Sequence, residues 1–169
     1  MTLSMYQASV PVFQRTLTAL SAILDKAAAH AAQRKIDPPV LLNARLFPDM
    51  FPFVRQVQLA ADFAKGTGAR LAGIEIPKFA DDETTFDQLK ARIGKTLDFL
   101  KTLKPAQIDG SEDREITIPI GGQPQIFKGQ PYLLHFALSN FFFHVTTAYD
   151  ILRHGGVEIG KRDFLGPLS

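Results

Sequence analysis

Residues 130–154 read QPYLLHFALSNFFFHVTTAYDILRH and are followed by Gly155 and Gly156. This stretch predicts one long helix against which the rest of the chain packs. Pro131 suits a first helical turn, and Gly155 can take a left-handed C-terminal cap. Arg153 and His154 would lie at the negative end of the helix dipole. One broad stripe of the helix would comprise Leu133, Ala137, Phe141, His144, Ala148 and Ile151. Further aromatic residues lie off this stripe, so the helix needs apolar cover on more than one side.

The composition is that of one globular domain, which we take to span residues 1–169. The chain is 46% hydrophobic and contains 14 Phe, which is enough for one packed core. Its 19 Lys and Arg nearly balance its 17 Asp and Glu, and no basic face accumulates, so we do not expect nucleic acid as a partner. The absence of Cys excludes disulfides and thiolate chemistry.

The amino-terminal residues MTLSMYQ lack the basic region of a secretory signal. No apolar run approaches the roughly 20 residues that a helix needs to span a bilayer. The sequence therefore predicts a cytoplasmic protein with no membrane partner.

Two helices are predicted in the first half of the chain. The first covers residues 9–31, and Pro11 leaves open whether Ser9 is its N-cap or a short turn from Leu3 is kinked there. The second begins between residues 48 and 52 and ends at Lys65, because Gly66-Thr67-Gly68 follows. Residues 33–47 between them show no sustained period and are predicted to be a connection.

A third helix begins at Thr85, which has the spacing of a capping box with Gln88, and ends at Lys104-Pro105. Residues 73–82 before it are predicted to be an extended crossover. The apolar period changes from 3.6 to 2 between residues 113 and 128, which predicts a small hairpin with Gly121-Gly122 at its turn. Residues 157–169 are predicted to be an extended tail anchored by Phe164 and Leu165.

These elements predict an all-α fold: a four-helix bundle with a long crossover and a small β-hairpin before the last helix. The chain also resembles a bacterial family of unknown function within the DinB/YfiT-like four-helix superfamily. The resemblance rests on NFFFHVTTAYDILRHGGVEIGKRDFLG at 140–166, SVPVF at 9–13, FPDMFP at 47–52 and the helix at 85–100. It implies a DinB-like bundle, often homodimeric, with a pocket at one end of the helices.

The resemblance also implies a metal held by a His of the second helix and a His-x-x-x-His pair on the fourth, with thiol-dependent transfer in some members. Residues four apart share a helix face, so such a pair could reach one ion. Here His144 takes the first position, but Ala148 stands four residues later, and the second helix contains no His. We therefore predict no metal and no cofactor.

The predicted ligand-binding residues are His144, Asn140, Asp49 and Gln56. His144 lies within the apolar stripe of the last helix, and Asp49 and Gln56 could face it from the second helix. Each residue has a structural alternative: His144 could be a buried neutral imidazole bonded to Asn140, a hydroxyl or a carbonyl, and Asp49 could be an N-cap or first-turn acid.

Phe136, Phe143 and Tyr149 lie off the core stripe and are predicted to form a homodimer interface, although the hairpin and tail could cover them instead. Three functions remain open. The first is a metal-free, small-molecule-binding homodimer with a pocket near His144. The second is a metal-dependent hydrolase or thiol transferase with a degenerate His site. The third is a structural or interaction protein without a pocket.

Overall fold

The computed structural model describes residues 3–167, so the first two residues and the last two of the predicted tail lie outside the described part. Four long helices dominate it: α1 (Val10–Arg34), α3 (Phe53–Ala72), α4 (Phe86–Thr102) and α7 (Leu138–His154). Shorter elements are α2 (Pro38–Leu42), α5 (Pro105–Ile108), the hairpin strands β1 (Glu115–Ile120) and β2 (Gln123–Lys128), α6 (Gly129–Pro131) and α8 (Lys161–Leu165). A π-helical turn, Tyr132–Ala137, joins α6 to α7.

Side-chain contacts show that the four long helices form two parallel pairs. Phe13 packs edge-to-face on Phe141 near the starts of α1 and α7, and their ends meet where Gly156 approaches His30. Likewise α3 and α4 start together at Phe53 and Phe86. The two pairs run in opposite directions, because Asp25 on α1 forms an ion pair with Lys90 on α4, and the start of α3 lies beside the middle of α7. The bundle is therefore up-down-down-up.

The apolar stripes of the sequence form one contiguous core. In α1 the apolar residues that repeat at intervals of three and four are all buried, namely Val10, Phe13, Leu17, Leu20, Leu24 and Ala27. Every stripe position of the last helix is buried as well, and the fully buried side chains with the largest volumes include Tyr132, Phe13, Phe53 and Phe141. Among residues 3–167 no helix is long and apolar enough to cross a membrane.

The start of α1 combines the two alternatives that Pro11 left open. Ser9 is the N-cap residue, but its hydroxyl donates to the carbonyl oxygen of Met5 at 2.6 Å instead of capping the helix. A turn over residues 5–9 leads directly into α1, and the amide of Val10 donates to the carbonyl oxygen of Tyr6. The helix runs on to Arg34, three residues beyond the predicted end.

The predicted end of the second helix at Lys65 is wrong. Helix α3 continues through Gly66 and Gly68 to Ala72, and Gly73 is its left-handed C-terminal cap with φ +68°. A Cβ added to Gly68 would lie 2.7 Å from Cδ1 of Leu103, so the missing side chain lets the end of α4 approach closely. These glycines are buried contact points rather than helix terminators, and packing offsets their low helix propensity.

The predicted third helix and hairpin are confirmed. Thr85 and Gln88 form the capping box of α4. Strands β1 and β2 pair antiparallel, with Gly121 and Gly122 both at positive φ in the turn. Ile116 and Ile118 are buried, so one face of β1 lies against the helices.

Taken together, α6, the π-helical turn and α7 run from Gly129 to His154, which is one residue earlier than predicted at the start and as predicted at the end. Two details differ from the prediction. The π-helical turn was not predicted. Gly155 stays at φ −73°, and Gly156 takes the positive φ of +89° instead. The predicted extended tail contains α8, where Phe164 packs on Tyr149, whereas Leu165 is exposed and is not an anchor.

The crossover between the parallel helices α3 and α4 is held by Arg92, which is only 2% exposed. Its guanidinium donates to the carbonyl oxygen of Ala80 and to Glu83, both at 2.9 Å, and forms an ion pair with Asp81 at 2.8 Å. It also donates to Asp62 of α3 at 2.8 Å. One arginine of α4 therefore ties the crossover to both helices.

Candidate functional site

His144 and Gln56 meet across the interface between α7 and α3. Nδ1 of His144 lies 2.8 Å from Oε1 of Gln56, and Nε2 of Gln56 donates to the carbonyl oxygen of Phe51 at 3.1 Å. Because an amide oxygen only accepts, the proton of the neutral imidazole is on Nδ1. Nε2 of His144 then carries the lone pair. Within residues 3–167 it has no hydrogen-bond partner, and it is not among the fully buried polar atoms.

Aromatic rings enclose the imidazole. Phe63 of α3 stacks on it with centroids 5.6 Å apart, and Phe143 meets it edge-to-face at 5.3 Å. His144 is 7% exposed, whereas Phe143 and Phe51 are 57% and 55% exposed. The pair therefore lies at the boundary between the core and an aromatic surface.

The charge of His144 is set by its surroundings. Burial, and then the positive charge of Arg55, lower the pKa of His144 to about 4. At neutral pH the side chain is uncharged, so its Nε2 atom can accept a hydrogen bond from a ligand N–H or O–H group but the ring cannot pair with an anion.

Two of the predicted site residues do not contact His144. Asn140 is half-buried one turn earlier on the same helix, but its amide nitrogen donates to the carbonyl oxygen of Phe136 at 2.8 Å. Asp49 is exposed in the turn before α3, so it is neither the N-cap, which is Pro52, nor a first-turn residue. The predicted contact of Gln56 with the last helix is present; that of Asp49 is not.

The aromatic residues expected at a dimer interface have different environments. Phe136 packs on Phe127 of the hairpin with centroids 5.4 Å apart, and Tyr149 packs on Phe164 of α8 at 5.9 Å. The hairpin and tail thus cover two of the three within the chain. Phe143 stays exposed, and its neighbour Phe142 is 36% exposed.

The metal site that the resemblance implies does not fit these residues. Nδ1 of His144 is occupied by Gln56, and Ala148 follows one turn later with no donor atom. Within the described part of the chain no group of three His, Cys, Asp or Glu side chains is placed to hold one ion. His144 Nε2 alone is too few ligands for a tetrahedral centre.

The charged residues around the crossover were not among the predicted site residues. Burial raises the pKa of the Asp81 carboxyl, but the hydrogen bond from Arg55 and the charges of Arg92 and Arg55 outweigh it, so the pKa lies below its usual value. The available indication was Arg92 itself, since it lies next to Ile93 and one turn after Leu89, two apolar positions of the predicted third helix that are buried. A charged residue on a core stripe predicts a paired charge, here supplied by the acidic stretch that precedes the helix.

A family model described as a domain of unknown function, DUF1993, matches residues 5–165. The fold is similar to the crystal structure of a DinB family member protein from Shewanella denitrificans, with a TM-score of 0.91 and 42% sequence identity over 96% of this chain and 92% of that one. No curated protein matches the chain. The match confirms the predicted DinB-like bundle.

Proposed function

Since this chain belongs to the DUF1993 family and has the DinB-like bundle, we propose that it is a cytoplasmic homodimer that binds a small organic molecule at His144. The observation that supports this is the unpartnered Nε2 of a neutral, nearly buried imidazole beside exposed aromatic rings. Because this atom is not fully buried, a ligand at the surface can reach it and donate a hydrogen bond to it.

The chemistry of the site defines the ligand. An acceptor at Nε2 requires a ligand N–H or O–H group, and the rings of Phe143 and Phe63 suit an apolar or aromatic body. Gln56 is a positioning residue, because its amide holds the imidazole in the Nδ1–H tautomer. Asn140 and Asp49 would act at the edge of the ligand site. The amide oxygen of Asn140 can accept a hydrogen bond from a second donor group of the ligand, and Asp49 lies in the turn that ends at Phe51.

The dimer contact is assigned to the exposed part of α7. Phe142 and Phe143 leave an apolar surface without cover in the chain, and a two-fold contact would place this surface against its counterpart. Burial of apolar area stabilises by about 25 cal/mol per Å². The interface would also exclude water from the neighbouring Nε2 atom of His144.

Ligand binding is tested by a thermal-shift screen with small neutral phenols, amides and azoles. We expect hits that raise the unfolding temperature of the wild type but not of His144→Gln, and a change of the ¹⁵N shift of His144 Nε2 on binding. His154→Gln, which removes an exposed His at the end of α7, is the control and should keep every hit. Hits that bind both variants equally would contradict the assignment.

The oligomeric state is tested by sedimentation velocity. The wild type is expected to be a dimer and Phe143→Glu a monomer, because the charge would be buried without a partner. Ile126→Glu, at an exposed apolar position of the hairpin, should leave the dimer intact. A monomeric wild type would refute the dimer without affecting the ligand assignment.

A further inference from the structure

A cavity lies between α3 and the crossover that follows it. Its volume is about 340 Å³. Its walls combine the apolar side chains of Ile76, Pro77 and Phe79 with the charged groups of Arg70 and Lys78. Gln56, Phe63 and Phe143, which surround His144, are not among the residues that line this cavity, so it is not the His144 site.

The guanidinium of Arg70 has few partners for a half-buried cation. Its NH1 group donates to the hydroxyl of Tyr132 at 3.3 Å, and no carboxylate within residues 3–167 forms an ion pair with it. A Cβ added to Gly66 would lie 2.7 Å from this NH1 atom, so the glycine provides the space in which the guanidinium lies. Most of the N–H donors of Arg70 therefore remain available to a ligand.

The two carboxylates in the cavity wall are already paired. Asp62 accepts from Arg92 and forms an ion pair with Lys65, both at 2.8 Å, and Asp81 is paired with Arg92 and Arg55. The charged lining groups are the cations of Lys65, Arg70 and Lys78 and these two carboxylates. Because the carboxylates are also paired with Arg92 and Arg55, the wall has a net positive charge, which an anion would balance.

We propose that this cavity binds a small organic carboxylate, with the carboxylate group on Arg70 and the apolar body against Ile76, Pro77 and Phe79. The fork of N–H groups of an arginine matches the two oxygens of a carboxylate. Lys78 adds a second positive charge at the cavity mouth. The ring of Phe79 is held in place because Nζ of Lys65 lies 4.0 Å from its centroid.

The test is a titration of the full chain with sodium benzoate, followed by NMR of the arginine Nε–H groups at constant ionic strength. We expect a saturable shift of the Arg70 signal with benzoate and none with benzamide, which has the same shape without the charge. In Arg70→Gln, benzoate binding measured by calorimetry should weaken about tenfold or more, the effect of losing a charge-assisted contact. Arg162→Gln, an exposed arginine on α8, is the matched control.

A second variant moves the guanidinium without removing its charge. Gly66→Ala should keep the fold, because alanine favours the helix, but its Cβ would displace NH1 of Arg70 and weaken benzoate binding. The proposal is overturned if no saturable shift occurs, if benzamide binds as well as benzoate, or if Arg70→Gln binds like the wild type. His144→Gln should bind benzoate unchanged, which separates this site from the proposed function.

Discussion

The contact between His144 and Gln56 fixes both the charge and the proton position of the imidazole. The amide of Gln56 is itself held by the carbonyl of Phe51, so its oxygen must face His144 and the imidazole must donate from Nδ1. Burial keeps the ring uncharged. One hydrogen-bonded chain of three residues therefore decides which ring nitrogen is available to a ligand.

This environment makes stability depend on pH. The pKa of His144 is about 4 in the folded protein and about 6.5 in the unfolded chain, so the unfolded chain binds the proton first as the pH falls. The stabilisation from the neutral imidazole of His144 is fully present above pH 6.5 and is lost as the pH falls towards 4. We expect this loss to lower the free energy of unfolding by about 3 kcal/mol between pH 7.5 and pH 4.

Urea unfolding at a series of pH values measures this effect. His144→Gln cannot take up the proton and should lose this part of the pH dependence, whereas His154→Gln should retain it. Equal slopes for the wild type and His144→Gln would show that His144 titrates alike in both states.

Metal removal should have no effect on the fold. Since the residues at His144 offer one free nitrogen and no neighbouring second or third ligand, we expect dialysis against a chelator to leave the unfolding temperature unchanged. Elemental analysis before and after dialysis checks the metal content directly. Stoichiometric metal that is lost in His144→Ala would instead favour the enzyme hypothesis.

At the scale of elements, the glycines of α3 show how packing overrides propensity. Gly66 and Gly68 are buried in the last third of the helix, where the sequence alone indicates a stop. Leu103 and Leu100 of the neighbouring segment approach the backbone of α3 at Gly68, where an added Cβ would lie 2.7 Å from Cδ1 of Leu103 and 3.2 Å from Cδ2 of Leu100. The helix continues because the contact with α4 requires a residue without a side chain there.

Two alanine substitutions separate these effects. Gly68→Ala should lower the free energy of unfolding by about 1 to 3 kcal/mol, because its Cβ would overlap Leu103. Gly94→Ala on α4 is the matched control: no atom lies within 4 Å of its Cβ, so it should stabilise by about 1 kcal/mol through helix propensity alone. Chemical denaturation measures both, and stabilisation by both would contradict the packing argument.

At the scale of the molecule, the parallel pairing of α3 with α4 requires the chain to return along the bundle through residues 73–85. An irregular segment of this kind has few backbone hydrogen bonds of its own, so side chains must hold it. Arg92 does this with hydrogen bonds and ion pairs to the segment and to α3. The up-down-down-up topology depends on this buried charge.

Arg92→Leu should therefore destabilise the protein by about 3 kcal/mol, the cost of removing one partner from a buried charge network. The loss leaves Asp62, Asp81 and Glu83 close together without their shared cation. Hydrogen exchange should increase first in residues 73–85. Lys101→Leu removes an exposed pair with Asp98 and should change stability by less than about 1 kcal/mol.

Much of the fold could be predicted because periodicity and capping are local properties. The stripes of α1 and the last helix, the capping box at Thr85 and the hairpin turn at Gly121-Gly122 all follow from residues near one another in the chain. The site was predictable only in part. Gln56 and His144 share an interface as the spacing suggested, but Asp49 does not, since a residue between two prolines need not join the helix that follows.

The number of long helices, their apolar faces, the hairpin and the family resemblance can all be predicted from the amino-acid sequence, because these depend on short-range patterns. The length of α3, the partner of Arg92 and the tautomer of His144 follow only from the packed molecule. Each of these depends on atoms that are far apart in the chain and meet only after packing: Gly68 with Leu103, Arg92 with Asp62, and His144 with Gln56. A close approach or a buried hydrogen bond is a property of the assembled core, and no local pattern encodes it.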